Sequence, residues 1–224
     1  MVSVLARRIL SGAVPPGGLL PREGDLCTEF GVSRTVVREA TKMLEAKGLI
    51  VSRPRVGTEV CAPETWNLLD PELLAWAGED FHDPRLVRSL MEARRIVEPA
   101  AAALAAERAT AADLAALEAA LERMNALLPH DVEAGAEADV AFHTALLRAS
   151  QNHVLISLAG VIRAAMRALF ELTNRVTTSH AGAMDLHAEV LEAVRLREGD
   201  RARRAIEAIL AGSERDVAAL EGGS

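Results

Sequence analysis

FGVSRTVVREATKMLEAKGLIV, residues 30–51, holds a turn, a helix start, a helix and the start of a strand. Gly31 lets the backbone turn sharply, and the Ser33 hydroxyl can satisfy free N–H groups of a helix beginning beside it. That helix runs to about Lys47 and stops at Gly48. Val37, Ala40, Met43 and Leu44 can face a core, while Arg34 and Arg38, four apart, project together near the N-terminal end. Leu49-Ile50-Val51 then reads as a short strand.

Upstream, SVLARRIL (residues 3–10) reads as a first helix, stopped by Gly12 and the Pro15-Pro16-Gly17-Gly18 loop. A second helix starts after Pro21 and ends at Phe30, with Val32 placed to plug the core between it and the third. Downstream, Thr58-Glu59-Val60 is a second strand, joined to the first by the hairpin tip SRPRVG. Helix, helix, tight turn, helix and hairpin make a winged helix-turn-helix. Two Arg four apart on a helix are usually only a solvated face. With this turn, cap and hairpin around them, they suit the major groove, where Arg donates two hydrogen bonds to a guanine edge. Ser33 and Thr35 at the helix N-terminus favour phosphate, and Arg53 and Arg55 at the hairpin tip suit the minor groove or the backbone.

Composition changes near residue 62. Beyond it the chain is rich in Ala, Leu, Glu and Arg at helical spacing, with segments expected at about 70–77, 84–107, 111–128, 132–149, 153–175, 184–197 and 200–219. Thr110 is a candidate cap, as is Asn152, for which capping is a commoner role than ligand binding. The expected fold is mainly α: a winged helix-turn-helix over 1–62, a linker and short helix over 63–82, and an all-helical antiparallel bundle over 83–224. Trp66 and Trp76 in the linker read as interdomain packing.

Charge divides at the same place. Residues 1–62 carry nine Lys/Arg against six Asp/Glu, a net +3, and the rest carry sixteen against twenty-six, a net −10. Only the head suits a polyanion. No apolar run approaches the ~20 residues of a membrane span, and the N-terminus lacks the pattern of a secretory signal, so a cytoplasmic protein is expected. Cys27 and Cys61 have neither disulfide nor zinc spacing. No HExxH, paired-carboxylate or nucleophile motif points to an enzyme.

In the body, ADVAFHTALL (residues 138–147) puts Asp139 and His143 at i and i+4, where both can reach one ion. A helix merely exposing a carboxylate would look similar. His82, His130 and His153 fall at helix boundaries and are expected to be exposed, and His180 falls in the loop TTSHAG.

The ordered set LP(x)EG(x)L, FGVSRTVVREA, LEAKGLI and GT(x)V resembles the head of the GntR superfamily of bacterial transcription regulators. The resemblance implies DNA contact through Arg34, Thr35 and Arg38 and makes Gly57 the wing glycine. At Gly24 some members carry a further DNA-touching Arg, which this chain lacks. EARRIVEPAAAALAAERAT (92–110), DVAFH (139–143) and LHAEVLEAVRLREGD (186–200) resemble the FadR-type branch, whose helical FCD domain binds an effector in its interior. Many such domains hold a divalent metal through an Asp and three His. The resemblance implies Asp139, His143 and His187 as metal ligands, with Ile209 where the fourth would stand; His180, seven residues before His187, could substitute if its segment were helical and not the expected loop. Three ligands and water still suit zinc, nickel or manganese; the plainer alternative is a metal-free polar cluster that bonds the effector directly. Arg94 falls where the family grips a carboxylate, and Arg95 would point about 100° away. Glu98 is expected to pair with one of the two Arg.

The run WNLLDPELLAW (66–76) is most similar to the galactonate-operon repressor group, so the resemblance implies a sugar-acid effector, an aldonate. The expectation is a homodimer on a palindromic double-stranded DNA operator, repressing a sugar-acid operon until the carboxylate effector binds near Arg94, Asp139, His143 and His187. The competing readings are a regulator that answers to metal alone and a metal-dependent enzyme.

Overall fold

The computed structural model describes residues 1–70, 72–73, 76, 84–173 and 180–221, and the chain divides into two units, Met1–Asp83 and Pro84–Ser224. In the first, α1 (Val2–Leu10), α2 (Glu23–Phe30) and α3 (Arg34–Ala46) precede an antiparallel hairpin of β1 (Ile50–Arg53) and β2 (Gly57–Val60). The hairpin register pairs Ile50 with Val60 and Arg53 with Gly57, and Leu19 bridges to Glu59 at its other edge. This is the winged helix-turn-helix. Leu5 and Ile9 of α1, Leu26 of α2, Val37, Ala40 and Leu44 of α3, and Ile50 and Val60 of the wing form its buried core. Met43 is 41% exposed, contrary to expectation. It sits one position, about 100°, off the stripe that ends in Leu44.

Gly31 turns the chain between α2 and α3 at φ 63°, and Ser33 caps α3 by accepting from the Val36 N–H. Gly48, past the end of α3, has φ +74°, and a Cβ on it would stand 2.0 Å from the Thr65 carbonyl oxygen. Both the left-handed backbone and the close approach demand glycine there.

That approach brings the linker onto the end of α3. Thr65 Oγ1 donates to the Gly48 carbonyl (2.9 Å), and the Asn67 N–H donates to the Lys47 carbonyl (2.9 Å). Lys47, only 7% exposed, donates from Nζ to both Asp70 oxygens (2.7 and 2.8 Å) and to Glu72 Oε2 (2.8 Å). Its Nζ also lies 4.9 Å from the Trp76 ring centroid. Trp66 Nε1 donates to the Cys61 carbonyl. These contacts of the two tryptophans lie within the first unit, where the sequence suggested packing between domains. Of the expected 70–77 helix, residues 72, 73 and 76 are helical, and 71, 74, 75 and 77 lie outside the described residues.

Every regular element among the described residues of the second unit is a helix: α4 (Pro84–Arg108), α5 (Ala111–Leu127), α6 (Val132–Ala149), α7 (His153–Ser157), α8 (Ala159–Thr173), α9 (His180–Arg195) and α10 (Gly199–Glu221). Thr110 and Asp113 form a reciprocal capping box on α5, and the Asn152 side chain caps α7. The single helix expected over 153–175 is two. Leu158 stands between them, its N–H bonded three residues back to Leu155. His180 opens α9 and does not fall in a loop. The main core is built on small residues, Ala102, Ala105, Ala106 and Ala138 among them, packed with Leu117, Phe142, Leu146, Val190 and Ile206. No helix among the described residues is long and apolar enough to cross a membrane. Cys27 and Cys61 are free and half-buried, and His130 and His153 are exposed; His82 lies outside the described residues.

Candidate functional site

Two sets of residues carry chemistry, one on each unit. On the head, Ser33, Arg34, Thr35 and Arg38 are all exposed at the N-terminal part of α3. Glu23, which sequence reasoning passed over, stands behind the two arginines. Its Oε2 accepts from Arg38 Nε (2.9 Å) and its Oε1 lies 3.9 Å from Arg34 Nε. Holding Arg38 by Nε directs the long side chain while the residue stays exposed, the arrangement that suits an Arg presented to a base edge. At the wing tip Arg53 Nε lies 2.9 Å from Glu59 Oε2. Arg55 takes a left-handed backbone at φ 65° and Gly57 has φ 121°. The tip is therefore a tight turn with both Arg side chains exposed.

In the body, α4 contributes Arg94 and Glu98, α6 contributes Asp139 and His143, and α9 contributes His187. Asp139 Oδ1, His143 Nε2 and His187 Nε2 form a small triangle. His187 Nε2 lies 3.0 Å and His143 Nε2 3.4 Å from Asp139 Oδ1, and the two imidazole nitrogens are 3.4 Å apart. Ligands held at ~2.0–2.2 Å around one tetrahedral ion lie roughly 3.3 Å from one another. The three atoms match that spacing, and they are the group among the described residues that converges in this way. Asp139 Oδ1 is buried yet accepts no well-aligned hydrogen bond. A buried carboxylate oxygen left so is costly unless a cation satisfies it. The donor set therefore fits a divalent metal such as zinc, nickel or manganese.

Behind the triangle, His143 Nδ1 lies 2.5 Å from Glu98 Oε2, and Arg94 Nε donates to Glu98 Oε1 at 2.6 Å. Arg94, Glu98, His143 and His187 are 2%, 0%, 1% and 3% exposed. Phe142 packs edge-on against both imidazoles, its centroid 5.9 Å from His143 and 5.0 Å from His187. Burial opposes charge on Glu98, but Arg94 and His143 outweigh it and hold its carboxyl down to about 2. Asp139 lies well below the usual carboxylate range, since His143 and His187 overcome its desolvation. His143 is likewise penalised by burial, yet Glu98 and Asp139 raise it to about 9. The field at this point of the body favours positive charge.

Sequence reasoning paired Glu98 with Arg94 or Arg95, and the partner is Arg94. Arg95 is turned outward, 59% exposed, with Glu214 at 3.4 Å. Sequence reasoning did not find the Glu98–His143 contact, because it joins residues forty-five apart. Ile209 is buried in α10 as part of the main core, so the structure offers no nitrogen from that position.

The model of bacterial regulatory proteins of the gntR family matches residues 2–60, and the FCD domain model matches residues 89–212. The galactonate operon transcriptional repressor of Escherichia coli is 39% identical over 216 residues, 96% of this chain and 94% of that protein. The Uxu operon regulator of Haemophilus influenzae is 31% identical, covering 91% of this chain and 75% of its own length. Among solved structures, that of Lar, which controls expression of the agr system of Listeria monocytogenes, superposes with TM-score 0.68 at 21% identity. It covers 98% of this chain and 95% of that one, and shares the fold. These relatives are regulators and not enzymes. With a gntR-family head and an FCD body, the chain belongs to the GntR family, as a DNA-binding transcription regulator of the FadR type.

Proposed function

We propose that the protein is a homodimeric repressor of a sugar-acid catabolic operon, released when an aldonate such as galactonate binds inside the body. The observation that carries the reading is the convergence of Asp139, His143 and His187 beside buried Arg94, in a chain whose relatives include a galactonate operon repressor and a Uxu operon regulator. Asp139, His143 and His187 would hold a divalent cation, which when bound supplies open positions for the carboxylate and hydroxyl oxygens of a sugar acid. Arg94 supports the anion by charge from within hydrogen-bonding reach of Glu98. In the head, Arg34, Thr35 and Arg38 would read the major groove, Ser33 would meet phosphate, and Arg53 and Arg55, on a wing turned by Gly57, would reach the neighbouring groove or backbone. Two heads related by a two-fold axis suit a palindromic operator.

The test is a thermal-shift screen of aldonates and uronates, with and without chelator, followed by operator binding with each stabilising acid. An acid that raises the melting temperature and weakens operator binding ~5–150-fold, the range of a 1–3 kcal/mol coupling, is the expected result. The buried cation-favouring triangle also supports a regulator that answers to metal alone. In that case chelator by itself changes operator affinity, and no acid does.

A further inference from the structure

We propose that Glu98 is the positioning residue of the body cluster: its Oε2 accepts the Nδ1–H of His143 and so fixes the ring with Nε2, the nitrogen that would take a cation, facing Asp139 and His187. The inference rests on the reading of that cluster as a divalent-cation site.

Arg94 and Glu98, four apart on α4, would make an ordinary buried ion pair if nothing else touched them. Glu98, however, is fully buried and divides its oxygens, Oε1 to Arg94 Nε at 2.6 Å and Oε2 to His143 Nδ1 at 2.5 Å. A neutral imidazole has one N–H and one lone pair, and the acceptor at one nitrogen decides which faces the other way. A carboxylate can only accept, so Nδ1 keeps its proton against Glu98, and the proton given up when a cation binds is the one on Nε2, which bares the lone pair there. The same bond opposes a flip of the ring, which would put Cε1 where Nε2 now stands. Phe142 packs edge-on and holds the ring plane, but it cannot tell nitrogen from carbon. Outer carboxylates of this kind orient histidine ligands and raise their basicity.

Glu98 also ties two functions together. The Arg that would meet an acidic effector and the His that would meet the cation are held by one side chain. Glu98→Gln breaks this in a defined way. An amide has one acceptor and one donor end, and both neighbours demand an acceptor. If the oxygen stays with Arg94, the NH2 faces His143 Nδ1, which must then accept, and the ring proton moves to Nε2 and points into the triangle. If the oxygen turns to His143, the NH2 meets the Arg94 N–H.

The experiment titrates Co(II) into chelator-treated full-length wild type and Glu98→Gln, reading affinity and the visible d–d spectrum. Glu98→Gln should bind Co(II) about 10–100-fold more weakly, with an altered band shape, on the scale seen for such outer partners. A folded Glu98→Gln with wild-type affinity and spectrum overturns the proposal. A measurement on the wild type needs no variant to fold: ¹⁵N NMR of the Zn(II)-loaded protein should find His143 protonated at Nδ1 and metal-bound at Nε2. The opposite assignment overturns the proposal while leaving the cation site standing. Wild type that binds neither Co(II) nor Zn(II) overturns the cation reading itself.

Discussion

At the residue scale the head and body differ in how much one side chain can do. Arg38 is exposed and held by Glu23, so Arg38→Ala should leave the fold intact. Operator binding should fall roughly 5–150-fold, the 1–3 kcal/mol of a bidentate base contact, and discrimination at one base position should relax. Binding to operators substituted at each position checks this; uniform weakening across all of them would move Arg38 to a phosphate role. In the body, Asp139→Asn keeps the shape but removes the anion that His143 and His187 share. Co(II) affinity by equilibrium dialysis should drop by at least about tenfold, and an undiminished affinity would exclude Asp139 as a ligand. Asp139 and His143 were legible in the sequence because i,i+4 spacing on a helix puts them on one face. His187 needed a resemblance, since nothing local connects it to them. Glu98 was half legible: its helical neighbour Arg94 is visible by spacing, but its partner His143 is brought by tertiary packing alone.

At the element scale, caps and turns were readable because each is a local chemical need. Thr110 is an example: its side chain accepts from the Asp113 N–H at 3.2 Å, and Asp113 answers at the Thr110 N–H. Thr110→Ala should lower the stability of the body by about 1 kcal/mol, read as a fall in thermal midpoint. The break at Leu158 was not readable, since an apolar run with no Pro carries no stop signal. The clamp between α3 and the linker was hidden too, because Lys47 looks like any helix-terminal lysine until Asp70 and Glu72 arrive. Lys47→Met leaves the largely buried Asp70 without its cation, and should cost about 1–3 kcal/mol, less than a fully buried pair because Asp70 keeps some water. The pH dependence has a definite sign. For Asp70, the Lys47 charge and backbone N–H groups overcome desolvation and lower its pKa, so its contribution is complete above its ordinary 3.8 and fades as pH falls below. For Lys47, Asp70 and Glu72 overcome burial and raise its pKa, so its contribution is complete below 10.5 and fades as pH rises beyond. The stability difference between wild type and Lys47→Met should thus be flat from about pH 4 to 10 and shrink on both sides. Denaturant unfolding across that range checks it.

At the scale of the molecule, charge separation sets the expected behaviour on DNA. A head of net +3 and a body of net −10 mean that binding to DNA should weaken steeply with salt through the head's few Arg contacts, each neutralised phosphate adding about 0.9 to the log–log slope. Fluorescence anisotropy at several salt concentrations gives that slope. A slope near zero would leave no role for Ser33, Arg53 or Arg55 against phosphate. The clamp at Lys47 has a consequence at this scale. A chain leaving a reading head is often a tether, and a tether absorbs small displacements as slack. Here the chain is gripped at residues 65, 67, 70, 72 and 76 by the last turn of the helix whose first turn carries Arg34. Residue 76 and residue 34 are therefore linked through one helix with little slack between them. A rotation applied at the gripped end should tilt that helix, and with it Arg34 at its first turn.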